Sequence, residues 1–201
     1  MADSTSFNAN NFRQNLKGDV ARPNLFKCNV TFPLTLGNLG AKAAKQFAFT
    51  CRSAQLPGMQ TGQIHVPYFG RMVKFVGDRQ FEDFAVRVIN DEGYVVREAF
   101  EAWQNDLDIV NHDSTRKEII LEDNDRANHY AQVTVTHFSK GGLPIKTYTL
   151  HNAFPYVVEG IGLDWQENDT AMEFGVVFAY DFFTIGKSGP TVAVGGSQLG
   201  T

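Results

Sequence analysis

Charged side chains are densest between Val76 and Glu92, in the stretch VGDRQFEDFAVRVINDE. Its five carboxylates and two arginines are Asp78, Glu82, Asp83, Asp91, Glu92, Arg79 and Arg87. Two carboxylates at the right separation can act as acid and base in glycoside hydrolysis, and clustered acidic oxygens can bind a divalent cation. Nothing in the sequence singles out one pair for such a role, so the fold that positions these charges has to explain them.

Three other patterns suggest chemistry, and each lacks a required part. The stretch IGKSG (185–189) ends like a phosphate-binding loop, but Asp181 stands where that loop needs its first glycine, and Gly189-Pro190 follows where it needs a helix. The acidic stretch LEDNDR (121–126) lacks the glycine that an EF-hand calcium loop requires. The five histidines show no pair at helix spacing and no adjoining cysteine pair. The sequence therefore favours no cofactor, nucleotide or metal, and no enzyme.

The two cysteines and one histidine have simpler interpretations. Cys28 and Cys51 lie on the apolar sides of alternating runs, which favours reduced, buried thiols over a disulfide or a nucleophile. His137 alternates with Val133 and Val135, which indicates a histidine that is buried or at an interface.

Composition narrows the class of protein. The 201 residues are 43% hydrophobic and include 17 phenylalanines, enough for one globular domain with a large aromatic core. The net charge of −4 and the absence of clustered Lys and Arg disfavour binding to the nucleic-acid backbone. We find no apolar run of about 18 residues and no signal-peptide pattern at the start, so we expect folding in the cytosol and no membrane span.

Alternation of apolar and polar residues dominates the middle of the chain and predicts a mostly antiparallel β-sandwich or barrel. Phe26, Cys28, Val30, Phe32 and Leu34 share one face of the first such run. Phe47, Phe49 and Cys51 repeat the pattern, and residues 37–46 between the two runs are predicted to form a protruding loop. Further strands are predicted at 63–68, 71–76, 118–122, 130–138, 145–150, 156–159 and 172–182, with a hairpin loop at SKGGLP (139–144).

One segment changes period and predicts a single amphipathic helix over the sheet. Val96, Phe100, Trp103 and Leu107 recur at spacings of four, three and four after the candidate N-cap residues Asn90 and Asp91. At the two ends, residues 1–20 are predicted to form an N-terminal arm and the Gly/Ser-rich residues 186–201 a flexible C-terminal tail. The folded domain is then 21–185.

The charged stretch fits this scheme as a strand that is contacted on both sides. Phe84, Val86 and Val88 share one face, and the opposite face mixes Asp83 and Arg87 with apolar residues. The first face belongs in the core, and the second is predicted to meet a neighbouring subunit or a polar channel, with an ordinary solvated face as the alternative.

Short pieces along the chain resemble the tail tube proteins of contractile-tailed, T4-like bacteriophages. The resemblance extends over about residues 18–183. The pieces that carry it are ARPNLF (21–26), LPG (56–58), VGDRQFEDF (76–84), NDE (90–92), WQ (103–104), LDW (163–165) and YDFF (180–183). The resemblance implies a structural virion protein whose β-sandwich subunits form hexameric rings. Stacked rings would form a hollow tube that holds the tape-measure protein and later conducts DNA without binding it.

The resemblance also implies partners, and the charge pattern supplies candidate residues. The partners would be other copies of the chain, the tail sheath protein, and the baseplate and tail-terminator proteins, with assembly in the host cytoplasm. The candidate interface or lumen residues are Arg22, Asp78, Arg79, Asp83 and Arg87, and Arg79 and Asp83 are candidates to pair between subunits. Two alternatives stay open: a tube subunit of a phage-derived injection system or a baseplate tube initiator, and a β-sandwich binding or hydrolytic domain.

Overall fold

In the computed structural model, residues 9–16, 20–107 and 129–186 are described. The helices are α1 (Ala9–Asn15), α2 (Gly37–Thr50) and α3 (Val95–Leu107), and a 3₁₀ turn (Leu34–Leu36) precedes α2. The strands are β1 (Phe26–Thr31), β2 (Cys51–Ala54), β3 (Met59–Tyr68), β4 (Arg71–Phe81), β5 (Phe84–Ile89), β6 (Ala131–Phe138), β7 (Pro144–Val158), β8 (Glu173–Ala179) and β9 (Phe182–Gly186). The strand predicted at 118–122, the acidic stretch 121–126 and tail residues 187–201 lie outside the described residues.

Seven strands form one antiparallel sheet in the order β1-β6-β7-β8-β5-β2, with β9 also pairing β7. The long β7 connects two ladders, because its first half pairs β6 and β9 and its second half pairs β8. The other two strands, β3 and β4, pair only with each other. This confirms the predicted mostly antiparallel β fold.

The core lies between this sheet and the helices α2 and α3. The alternation of β5 is confirmed, since Phe84, Val86 and Val88 are buried while the residues between them are exposed. From α3, Phe100 and Trp103 pack against Phe178 of β8 with ring centroids about 6 Å apart. Trp103 is fully buried and its indole N–H donates to His129 O over 2.8 Å, so its one polar atom is satisfied.

Residues 37–50 correct the sequence prediction, because they form helix α2 and not a protruding loop followed by a strand. Gly40, Ala43 and Phe47 are buried at spacings of three and four, which is the period of a helix. Phe49, predicted to share a strand face with Phe47, is 87% exposed. A Cβ at Gly40 would lie 3.0 Å from the Cβ of Phe32, so the glycine lets α2 lie close to β1. The predicted amphipathic helix is α3, and α2 is a second helix that the sequence did not predict.

Several boundaries also differ from the predictions. The strands predicted at 145–150 and 156–159 are one strand, β7, and the strand predicted at 172–182 divides into β8 and β9. Leu34 leaves the apolar face of β1, because the chain turns into the 3₁₀ helix there and exposes it. Helix α3 begins at Val95 and not at Asn90. Asp91 instead closes the preceding turn, accepting from Gly93 N at 3.2 Å and Tyr94 N at 3.1 Å.

Candidate assembly surface

The β3–β4 hairpin packs against the rest of the described chain only near its base. Its strands are joined by the two-residue turn Phe69-Gly70, in which both residues have positive φ, 44° and 75°. That is the backbone of the type I′ turn, whose twist matches paired strands. Every residue from Met59 to Val76 is exposed, so the hairpin forms a ribbon open on both faces.

One face of this ribbon is apolar along most of its length. The strand register places Ile64 opposite Phe75, Val66 opposite Val73, and Tyr68 opposite Arg71. The five apolar side chains on this face, hereafter the ribbon face, are 40–65% exposed. The other face is mixed, with His65 opposite Lys74 and Pro67 opposite Met72.

Two glycines shape the ribbon near its base. The register shifts between Thr61 and Gln63, opposite Gly77 and Asp78 of β4. A Cβ at Gly77 would lie 2.9 Å from the carbonyl carbon of Gly62, so only glycine permits this approach of the two backbones. This register shift is a β-bulge, and it lies between the apolar end of the ribbon and its base.

The base of the ribbon is held to the sheet by two tyrosines. The Tyr156 hydroxyl donates to Asp83 Oδ2 over 2.7 Å, and the Tyr180 hydroxyl donates to Glu82 O over 2.7 Å. The ring of Phe81, the last residue of β4, packs against Tyr180 and Phe183. These contacts fix the ribbon's point of attachment.

The same contacts change the acid–base behaviour of both tyrosines. The hydrogen bond to Asp83 raises the pKa of Tyr156 above its ordinary value, with further increases from desolvation and from the carboxylate charge. Burial raises the pKa of Tyr180, and the negative charges of Asp83 and Glu82 add to that increase. Both phenols therefore hold their protons more tightly in the folded chain than in the unfolded one.

The structure places three of the predicted site residues along the base of the ribbon. Asp78 and Arg79 are exposed on β4, and Arg79 lies opposite Thr61. Asp83 is the acceptor for Tyr156 and so has a role within the subunit. Whether Arg79 and Asp83 pair between subunits stays a prediction.

The other two predicted residues lie elsewhere and do not join this group. Arg87 is on the exposed face of β5, where its guanidinium is 3.7 Å from Glu159 Oε2. Arg22 is next to β6, and its carbonyl accepts from Nε2 of the half-buried His137 over 2.8 Å. The five charges therefore form no single site.

The residues with a possible catalytic or metal-binding role are not gathered into a centre. Within the described ranges, no group of three or more His, Cys, Asp or Glu residues is placed to hold a metal ion. Cys28 and Cys51 are free thiols, the first buried and the second half-buried. A hydrogen bond with Cys51, followed by burial, raises the pKa of Cys28 well above its ordinary value, which disfavours the reactive thiolate. Of the described helices, none is long and apolar enough to cross a membrane.

Sequence reasoning missed the ribbon face. It predicted both strands but not that their apolar residues would stay exposed. A partial signal was present in PYFG (67–70), where a glycine closes a two-residue connection between two predicted strands and so indicates a hairpin.

Comparisons with known proteins agree with the fold and with the resemblance of the separate motifs. The family model for the phage tail tube protein matches residues 21–186. The tail tube protein gp19 of Enterobacteria phage T4 is 28% identical over 167 residues, which cover 83% of this chain and 92% of the relative. The tail tube protein of Serratia phage KSP90 is 26% identical over 157 residues, 78% of this chain and 84% of the relative.

Solved structures with a similar fold come from contractile injection systems. A chain of the anti-feeding prophage baseplate, solved with six-fold symmetry, matches with a TM-score of 0.61 at 12% identity, over 85% of this chain and 98% of that one. A chain of the PVC sheath–tube complex in its extended state matches with a TM-score of 0.56 at 14% identity, over 90% of this chain and 99% of that one. At these identities the likeness concerns the fold.

Proposed function

Because the chain belongs to the phage tail tube protein family, we propose that its copies assemble into stacked hexameric rings forming a hollow tube inside a contractile sheath. The ribbon face is the observation that carries this proposal. A contiguous apolar surface of this kind is uncommon on a monomer and typical of a protein–protein interface. A second copy of the chain is the natural occupant, since a tube subunit meets other copies both beside and above it.

The edges of the sheet support the same proposal. Within the described residues, β2 pairs only β5, and β9 pairs only β7, so each has a second edge that is open to pairing. Open edges recruit strands from other chains, and closure into a ring removes them. A ring in which sheets of adjacent subunits join would therefore satisfy backbone groups that the monomer leaves to water.

Six subunits per ring are proposed from the six-fold symmetry of the anti-feeding prophage baseplate, whose chain shares this fold. The net charge of −4 supports the proposed role of the tube as a conduit for DNA, because a wall rich in Lys and Arg would retain phosphates through counterion release. We assign the exposed Asp78, Arg79 and Arg87 to subunit contacts or to the channel wall. This is a structural role and not a catalytic one.

The proposed partners follow from the position of such a tube. They are the tail sheath protein outside it, the tape-measure protein and then DNA inside it, and the baseplate and tail-terminator proteins at its ends. The sheath–tube and baseplate assemblies that contain chains of similar fold support the first and last of these. The sequence relatives are phage tail tube proteins, which favours the phage tail over an injection system.

Negative-stain microscopy and size-exclusion chromatography of the purified chain test the proposal. We expect rings or hollow tubes. A persistent monomer across salt and protein concentration would overturn self-assembly.

A pair of variants tests whether the ribbon face is used. Ile64→Ser with Phe75→Ser removes facing apolar side chains and should shift the protein to monomers, while circular dichroism stays unchanged because both residues are exposed. Leu143→Ser is the matched control, since Leu143 is also an exposed apolar residue but lies in the β6–β7 turn. Equal assembly of both variants would remove the ribbon face from the interface.

A further inference from the structure

The loop between β7 and β8 presents a second exposed apolar site. Trp165 is 99% exposed and Leu163 is 78% exposed. Asp164 shapes the turn under the indole, since its side chain accepts from Gln166 N over 2.9 Å and its carbonyl accepts from Glu167 N over 3.3 Å. Tryptophan is enriched among the residues that contribute most to binding at protein interfaces. A fully exposed tryptophan on an ordered turn is therefore a candidate for such a residue.

Both ends of this loop are anchored to the body of the protein. At the start, Ile161 packs against the core, and Arg97 Nη1 donates to Glu159 O over 3.1 Å. At the end, the Met172 sulfur is 3.4 Å from the Tyr94 hydroxyl, and Met172 O accepts from Asn90 N over 2.8 Å. The loop therefore presents Trp165 from a fixed base.

The loop is acidic as well as apolar. Residues 159–173 contain five carboxylates and no Lys or Arg. They are Glu159, Asp164, Glu167, Asp169 and Glu173. Three of these, Asp164, Glu167 and Asp169, are exposed and lie within four residues of Trp165 in the chain, so the loop that carries the indole is negatively charged.

The outer part of the β3–β4 hairpin has the opposite charge. Residues 59–77 contain Arg71 and Lys74 and no carboxylate. At the tip, the ring of Phe69 is 90% exposed and stands edge-on to Tyr68, with ring centroids 4.6 Å apart. The hairpin tip is therefore basic and aromatic, complementary in charge and similar in apolar character to the loop around Trp165.

We propose that the hairpin tip of one copy docks on the Trp165 loop of a second copy. This inference rests on the proposed function and names the acceptor surface within it. The tip and the loop are different surfaces of the same chain, so the contact is heterologous and repeats from copy to copy, as a growing tube requires. Trp165 and Phe69 supply the buried apolar area, while Arg71 and Lys74 against the loop carboxylates set orientation and speed association.

Charge reversal with rescue is the decisive experiment. Arg71→Glu and Glu167→Arg should each reduce the association constant about tenfold or more, which corresponds to about 1.4 kcal/mol. Both substitutions in one chain should restore much of the association, because the two exchanged side chains are again of opposite charge. Lys45→Glu, a charge reversal at an exposed position of helix α2 and away from the sheet edges, is the matched control and should leave assembly unchanged. Double variants no better than the singles would overturn the pairing.

A substitution at the tip separates the aromatic ring from the turn that carries it. Phe69→Asn creates Asn-Gly, the preferred sequence for a type I′ turn, so the hairpin should keep its shape while the ring is lost. Assembly should weaken without a change in circular dichroism. Assembly at wild-type strength would exclude Phe69 from the contact.

Tryptophan fluorescence gives a readout at the loop itself. Trp103 is already buried, so a blue shift of emission on assembly should come from Trp165 and be absent in Trp165→Phe. Tubes that form while emission stays unchanged would overturn this inference and leave the proposed tube intact. Failure of the wild-type chain to assemble under any condition would instead overturn the proposed function, and this inference with it.

Discussion

Strands β4 and β5 are consecutive in the chain and both carry apolar side chains at alternate positions, yet the apolar side chains of β5 are buried and those of β4 are exposed. In β5, Phe84, Val86 and Val88 are buried in the core, where the ring of Phe84 contacts Phe178 of β8. In β4, Val73 and Phe75 are half-exposed on the ribbon face. Alternation therefore identifies a strand in both places, but only β5 finds its apolar partner within the same subunit.

The two tryptophans make the same contrast in single residues. Trp103 is fully enclosed in the core, where it contacts Phe32, Phe100 and Phe178. Trp165 has nearly its full surface in water. One ring stabilises the subunit, and the other is available to a partner.

The largest expected effect separates these two rings. Trp103→Ala should lower the free energy of unfolding by about 3–5 kcal/mol, because it leaves a cavity in the core and removes the hydrogen bond to His129 O. Trp165→Ala should change it by less than about 0.5 kcal/mol. Urea unfolding followed by circular dichroism measures both. A similar loss in the two variants would mean that Trp165 packs within its own subunit.

A medium effect is expected at the close approach of β3 and β4. Gly77→Ala puts a Cβ against the Gly62 backbone and should destabilise the ribbon by about 1–3 kcal/mol. Native-state hydrogen exchange should show ribbon amides exchanging roughly ten- to a hundredfold faster while the amides of β5 and β8 are unchanged. Gly160→Ala is the control, because a Cβ there meets nothing within 4 Å. Faster exchange in β5 as well would show that ribbon and core open together.

The smallest effect concerns the attachment of the ribbon through Tyr156. The folded-state pKa of this phenol is raised, so its stabilising contribution is fully present below the ordinary pKa of about 10 and is lost as pH rises through the folded value. Wild-type stability should therefore fall more steeply than that of Tyr156→Phe above pH 10, with parallel behaviour near pH 8. Unfolding curves at the two pH values test this, with Tyr68→Phe, outside the Asp83 contact, as control. Identical slopes for wild type and Tyr156→Phe would contradict it.

The fold was predictable where one period dominated the sequence. Val96, Phe100 and Trp103 predicted α3, and alternation predicted β1, β5 and β6, because each has one clean apolar face. The prediction was wrong for α2, where Phe47, Phe49 and Cys51 gave alternation across a helix end and Ala43 gave a weaker helical signal. Short apolar runs fit both periods, and only packing of Phe47 against Phe100 decided between them.

The candidate surface was predictable in its chemistry but not in its arrangement. The sequence alone determined a family, a mostly antiparallel β fold, and charges at Asp78, Arg79, Asp83 and Arg87 without a catalytic motif. Only the tertiary structure decided that Asp83 holds Tyr156, that Arg87 faces Glu159, and that the apolar side of the β3–β4 ribbon is left uncovered. The physical reason is that periodicity shows which side of an element is apolar. The surface that covers that side depends on contacts with residues distant in sequence or in another subunit.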